Sequence, residues 1–152
     1  MSSGFLLRVL TRGLLVVPLL AVSQLSYAGK SIADYVDCVE PGKPGLECPY
    51  PYQLEKVDPA FKKSLVAVRK SAKVPNIEGP ESPLRPVRIQ DRKYLWALRC
   101  QVHNCDAHQY VFIYAASSGK ISGLYQPDGQ AAFFFGQPDE AEQGLLTSLL
   151  HK

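Results

Sequence analysis

Long apolar runs, a marked excess of charge of one sign and spare cysteines are all missing from this 152-residue chain. The longest apolar stretch, Leu14–Val22, is nine residues, against the roughly 20 that a membrane-spanning helix needs. The 17 Lys+Arg against 14 Asp+Glu give a formal charge of only +3. Nothing in that balance asks for a nucleic acid or an anionic membrane surface, both of which want a concentrated basic face. There is no Gly-x-Ser-x-Gly elbow, and the three histidines are His103, His108 and His151. Internal repeats and low-complexity segments are absent as well.

What is present begins with the N-terminus. Residues 1–28 carry Arg8 and Arg12 and no acid, then the apolar stretch, then Ser26-Tyr27-Ala28. This layout predicts a cleavable secretory signal peptide, with cleavage after Ala28. No cysteine sits just after the cleavage point, where Gly29 stands, which argues against a lipid anchor. Removal of the two arginines leaves the mature chain at a formal +1. The expected product is an exported protein, placed in the periplasm, with no membrane attachment after signal removal.

The four cysteines, Cys38, Cys48, Cys100 and Cys105, all fall in the mature part. An even count in a small exported domain points to disulfides. Three pairings are open. The short-range one, Cys38 with Cys48 and Cys100 with Cys105, is expected because each pair brackets a turn-rich segment.

Residues 29–58 read as a Pro-rich, irregular arm, with Pro41, Pro44, Pro49 and Pro51 interrupting any long element. Residues 59–152 read as an α+β domain that forms one folded unit with the arm. Asp58 is a good N-cap, Pro59 suits the first helical position, and Phe61, Leu65 and Val68 share a face. Residues 71–86 form an ordered loop rich in proline and glycine. From Val87 the period becomes two. Strands are expected around Val87–Ile89, Tyr94–Arg99, Gln109–Ala115, Ile121–Tyr125 and Gln130–Phe135, joined by turn signals. The chain closes on a helix with a capping box, Asp139 and Glu142, and an apolar face of Leu145, Leu146 and Leu149. The expected architecture is a central antiparallel meander of about five short strands with helices packed on one face. Tyr94, Trp96, Tyr110, Phe112, Tyr114 and Phe133 to Phe135 are expected in the core and on the sheet faces, where a few could line an interface.

The segment Cys100-Gln101-Val102-His103-Asn104-Cys105 sits between two strong strands and is the most informative feature. A bridge across so few residues contributes about 2 kcal/mol in the chain-entropy model. Its larger effect is to stiffen a projecting tip, and rigid tips present recognition residues. Two other chemistries use the same residues. Cys100, His103, Cys105 and His108 could ligate a metal, but four ligands within nine residues are crowded for zinc, and thiols in an oxidising compartment tend to be bridged. A histidine beside Asp106 or Asp91 could act as a general base, but no nucleophile is visible. No catalytic residue, cofactor or metal is therefore expected, and the chain is expected not to be an enzyme.

These residues resemble the periplasmic inhibitors of vertebrate (C-type) lysozyme, the Ivy-like family. The family signature is a hexapeptide loop, Cys-Lys-Pro-His-Asp-Cys, between two strands. Here both cysteines and the histidine are in register, while Gln101, Val102 and Asn104 replace lysine, proline and aspartate. An upstream helix, Val74-Pro75, Ser82-Pro83, Tyr94 and the Ile121-Ser-Gly-Leu-Tyr125 strand agree with it, over roughly residues 60–150. The resemblance implies a central antiparallel sheet with helices and a loop inserted into a lysozyme cleft. It makes His103 the plug and Cys100 with Cys105 its brace. The implied partner is a C-type lysozyme or a lytic transglycosylase; an immunity protein against a periplasmic peptidoglycan-degrading toxin would use the same logic. The family also includes dimers, so a homodimer through an open sheet edge belongs among the expectations.

The cysteine argument has a direct check. Thiol titration of the exported protein, denatured without reductant, is expected to find no free thiol; two or more would overturn it.

Overall fold

The computed structural model describes residues 30–151, so the expected signal peptide and its cleavage site lie outside the described residues. The arm opens with a single 3-10 turn, Ile32–Tyr35, and ends in a seven-residue helix α1, Pro51–Val57. Pro51 thus begins an element rather than breaking one, because proline at the first helical position gives up an N–H that would have no intrahelical partner. Helix α2, Pro59–Ser71, follows at once. Asp58 joins the two: one carboxylate oxygen accepts from Phe61 N–H at 2.9 Å and the other from Ile32 N–H at 2.9 Å. The same buried side chain caps α2 and ties down the arm.

Five strands follow: β1 Arg85–Ile89, β2 Arg92–Cys100, β3 Gln109–Ala115, β4 Ile121–Gln126 and β5 Phe133–Phe135. They form one antiparallel sheet in the order β1-β2-β3-β4-β5, the expected meander. Trp96 sits opposite Ile113, which sits opposite Ser122; one step away Ala97, Phe112 and Gly123 align. Helix α3, Glu140–Leu150, closes the fold. Its capping box is formed, with Glu142 N–H donating to Asp139 at 2.8 Å and Asp139 N–H to Glu142 at 3.1 Å. Glu142 is buried and also accepts from Tyr94 O–H at 3.1 Å and Lys120 Nζ at 3.2 Å. Burial first, and then the Glu142 carboxylate, pushes the Tyr94 phenol up to about 12.

The placement of the helices departs from expectation. On one face of the sheet, Leu95, Ala97, Tyr110, Phe112, Tyr114 and Tyr125 pack under Leu54 of α1, Phe61 and Leu65 of α2, and Tyr35 with the Cys38–Cys48 bridge. On the other, Tyr94, Trp96, Val111, Ile113 and Leu124 pack under Leu146, Leu149 and Leu150 of α3. The helices therefore cover both faces, not one. The reason lies in β3, where no polar residue interrupts Tyr110–Ala115 and all seven strand residues are buried. A strand with one wet face would alternate.

Two smaller differences concern β5 and α2. The last strand is only Phe133–Phe135, and of its aromatics only Phe135 is buried, while Phe133 and Phe134 are each 37% exposed. As an edge strand, β5 has a neighbour on one side only, so less of it is covered. In α2, Val68 is half-buried and Arg69 takes the inward position, its guanidinium 5.6 Å from the Tyr110 ring centre.

Replacement of Asp58 by alanine would strip the acceptor from two backbone donors at once. Asp58→Ala is expected to cost about 2 kcal/mol, measured as a lower urea midpoint; a loss under about 0.5 kcal/mol would mean that the arm is held elsewhere.

Candidate functional site

The expected recognition loop leaves the sheet at Cys100, the last residue of β2, and returns at Gln109, the first of β3. Its cysteines are bridged to each other, with Cα atoms 4.7 Å apart, and Cys38 is bridged to Cys48 at 5.0 Å. No free cysteine remains among the described residues. Two disulfides suit a protein exported to an oxidising compartment.

Inside the loop, Asn104 N–H donates to the Gln101 carbonyl at 3.0 Å and closes a four-residue turn. Val102 and His103 occupy its corner. Val102 is 49% exposed, and His103, also exposed, has a φ of 63°. A turn of this kind needs a left-handed third residue, a conformation in which histidine is enriched among non-glycine residues. The Asn104 carbonyl then accepts from Ala107 N–H at 3.3 Å and His108 N–H at 2.9 Å, which carries the chain back to β3. His103 is left at the apex with its imidazole in solvent.

Three supports outside the hexapeptide hold this shape. Residues 78–82 run beside the end of β2: Cys100 N–H donates to the Pro80 carbonyl at 3.1 Å, Ser82 N–H to the Leu98 carbonyl at 2.9 Å, and Val102 N–H to the Glu78 carbonyl at 3.4 Å. Gly79 lies so close that a Cβ there would fall on the Cys100 carbonyl and the Val102 amide. Arg99 pins this segment, pairing with Glu81 and, at 3.3 Å, with Glu55 of α1, all three largely buried. On the opposite side, the Asn104 amide donates to Asp128 in the β4–β5 turn at 3.3 Å.

The third support is His108. One ring nitrogen, Nδ1, is 2.6 Å from the Gln101 amide oxygen, and the other, Nε2, is 2.8 Å from the Tyr125 hydroxyl. Burial pushes the Tyr125 phenol above its ordinary range, so its proton stays on. The residues considered as a metal set are thus dispersed in role: Cys100 and Cys105 are bonded to each other, His103 points outward and His108 is engaged with Gln101 and Tyr125. Among the described residues no group of three or more histidines, cysteines or acids is placed to hold a metal. The candidate bases are not assembled either. Asp91 is in the β1–β2 turn, at the far end of β2, and both nitrogens of His108 have partners other than Asp106.

Sequence reading finds the hexapeptide but misses its supports. Gly79, Arg99, Tyr125 and Asp128 lie up to 24 positions from their loop contacts, and no local pattern marks them. The chain matches no family model and no curated protein.

The Gly79 contact is the easiest to test. Gly79→Ala is expected to cost about 2 kcal/mol in thermal unfolding and to shift the amide resonances of Cys100 and Val102. Unchanged resonances would show that the strip does not press on the loop.

Proposed function

We propose that this protein is an exported inhibitor that inserts the Cys100–Cys105 loop into the active-site cleft of a C-type lysozyme or a related peptidoglycan-cleaving muramidase in the periplasm. It acts by occupation and needs no reaction of its own. The observation that carries this reading is the position of His103: exposed, at the apex of a turn, on a cross-linked loop supported from three sides.

The chemistry fits such a target. A retaining glycosidase sets two carboxyl groups about 5–5.5 Å apart, one protonated and one ionised, with lysozyme the type case. An imidazole carries two nitrogens on different edges of a flat ring, and each can donate or accept according to its protonation. One ring can therefore satisfy both carboxyls. A charged ring would make each bond to a carboxylate stronger. The rigid loop lowers the ordering cost of binding, which is where preorganisation gains affinity.

The family resemblance adds to this argument. Its signature proline coincides with Val102, the second residue of the turn, where proline is favoured because its φ is already set. The formal +1 of the mature chain supplies no opposing field for a strongly cationic lysozyme, since steering needs opposite charge. This favours including a lytic transglycosylase, and a toxin of the same chemistry, among the targets tried.

The deciding variant respects the backbone. His103→Asn removes the ring but suits a positive φ, so the melting temperature should move by less than about 2 °C. Inhibition, or affinity for immobilised enzyme, is expected to fall at least about tenfold, as for a central hot spot. Equal inhibition by parent and variant would sink the plug reading. A parent that binds the transglycosylase or toxin and not the lysozyme would reassign the target.

A further inference from the structure

Beyond the bridged cysteines and the Asn104–Asp128 contact, one more side chain of the six-residue loop is held. Gln101, the first residue after β2, is exposed, but its amide oxygen lies 2.6 Å from His108 Nδ1. His108 is half-buried, its ring centre 5.6 Å from that of Tyr125, and its Nε2 lies 2.8 Å from the Tyr125 hydroxyl. Tyr125 is buried in β4 and packed edge-on against Phe133 of β5 at 5.4 Å. Gln101 N–H also donates to the His108 carbonyl at 2.9 Å, so the two residues are joined through backbone and side chain alike.

We infer that Gln101, His108 and Tyr125 form a clamp that positions the loop, with His108 as its pivot, and that the clamp fixes His103 in the binding-ready conformation. Proton placement follows from the partners. The Gln101 oxygen can only accept, so Nδ1 carries the proton in the neutral ring. That leaves Nε2 to accept from the Tyr125 O–H.

The clamp has two consequences. It folds the Gln101 side chain back over the loop base, so the leading surface offered to a partner is the His103 ring and the Val102 methyls. It also acts where the disulfide does not. The bridge joins Cys100 to Cys105, whereas the clamp ties the second loop residue through His108 to β4. The sheet thereby sets the direction of the loop, beyond its closure. As a device for presenting His103, this rests on the inhibitor reading; as a constraint on the loop, it stands alone.

Position 101 supplies the discriminating variants. Gln101→Glu keeps an acceptor for Nδ1–H. Gln101→Lys offers three donors and no acceptor, so it cannot make the bond. His108→Ala removes the pivot, and Tyr125→Phe removes one contact while keeping the buried ring. The first measurement needs no partner: backbone ¹⁵N relaxation at Val102 and His103, with imidazole ¹⁵N shifts of His108, at about pH 8, where an ordinary histidine is neutral. The parent and Gln101→Glu are expected to show the Nδ1–H form and order parameters near 0.8 at His103. Gln101→Lys and His108→Ala should fall below about 0.6, the range of flexible backbone, and Tyr125→Phe should lie between. Unchanged order in Gln101→Lys and His108→Ala, or an Nε2–H ring in the parent, would overturn the clamp.

The second measurement is affinity for the muramidase that the parent binds. Gln101→Lys and His108→Ala should each lose about tenfold, with melting temperatures near the parent's, while Gln101→Glu retains affinity. Loss of order without loss of affinity would overturn the presenting role. A parent that binds no muramidase would defeat the inhibitor reading, and relaxation would still decide the clamp.

Discussion

β3 must be buried on both faces, and the rest of the fold answers that demand. Its Tyr110, Phe112 and Tyr114 point one way and Val111, Ile113 and Ala115 the other. At about 25 cal/mol per Å² of apolar area, leaving either set wet would forfeit several kcal/mol. One helical layer cannot cover both sides of a sheet. The chain therefore places α1, α2 and the arm on one side, and returns α3 to the other after the last strand. The Cys38–Cys48 bridge, Asp58 and the Asp139–Glu142 capping box hold these covers in place.

With its middle strand fixed on both faces and both edges, the sheet becomes a rigid mount. β2 outruns β1: the pairing of β1 reaches only Trp96, and the last residues of β2 are paired instead by residues 78–82. Arg99 makes that second pairing firm, because a buried guanidinium is tolerable only with its carboxylates, and these come from Glu55 and Glu81. Removal of one partner from such a group costs far more than the pair itself contributes. The hexapeptide is thus the visible end of a support that includes α1, the 78–82 strip and the β4–β5 turn.

This arrangement separates stability from recognition. Aromatic rings and leucines supply the core, while the residues left at the tip, Val102 and His103, contribute little to it. A site of this kind can change its leading side chains without unfolding the domain, provided its supports remain. The backbone at His103 is the exception, since its positive φ limits which residues the apex accepts.

Much of this was legible in the sequence because it depends on neighbours in the chain. Pro59 after Asp58, the Asp139–Glu142 spacing and the period-two runs each act within a few residues, so α2, α3 and the order of the strands follow from them. The hexapeptide is equally local, and its bridge joins positions five apart. The sequence by itself also determined that no polar residue would interrupt Tyr110–Ala115 of β3. Which elements would cover its two faces was decided only by packing, because a helix's apolar stripe does not say which side of a sheet it will meet. The same holds for the clamp. His108 could be read as a ligand or a base; only the fold brings β4 alongside β3 and sets Tyr125 and Gln101 on its two nitrogens. The role of a polar ring is fixed by what faces each nitrogen, and those partners come from tertiary structure.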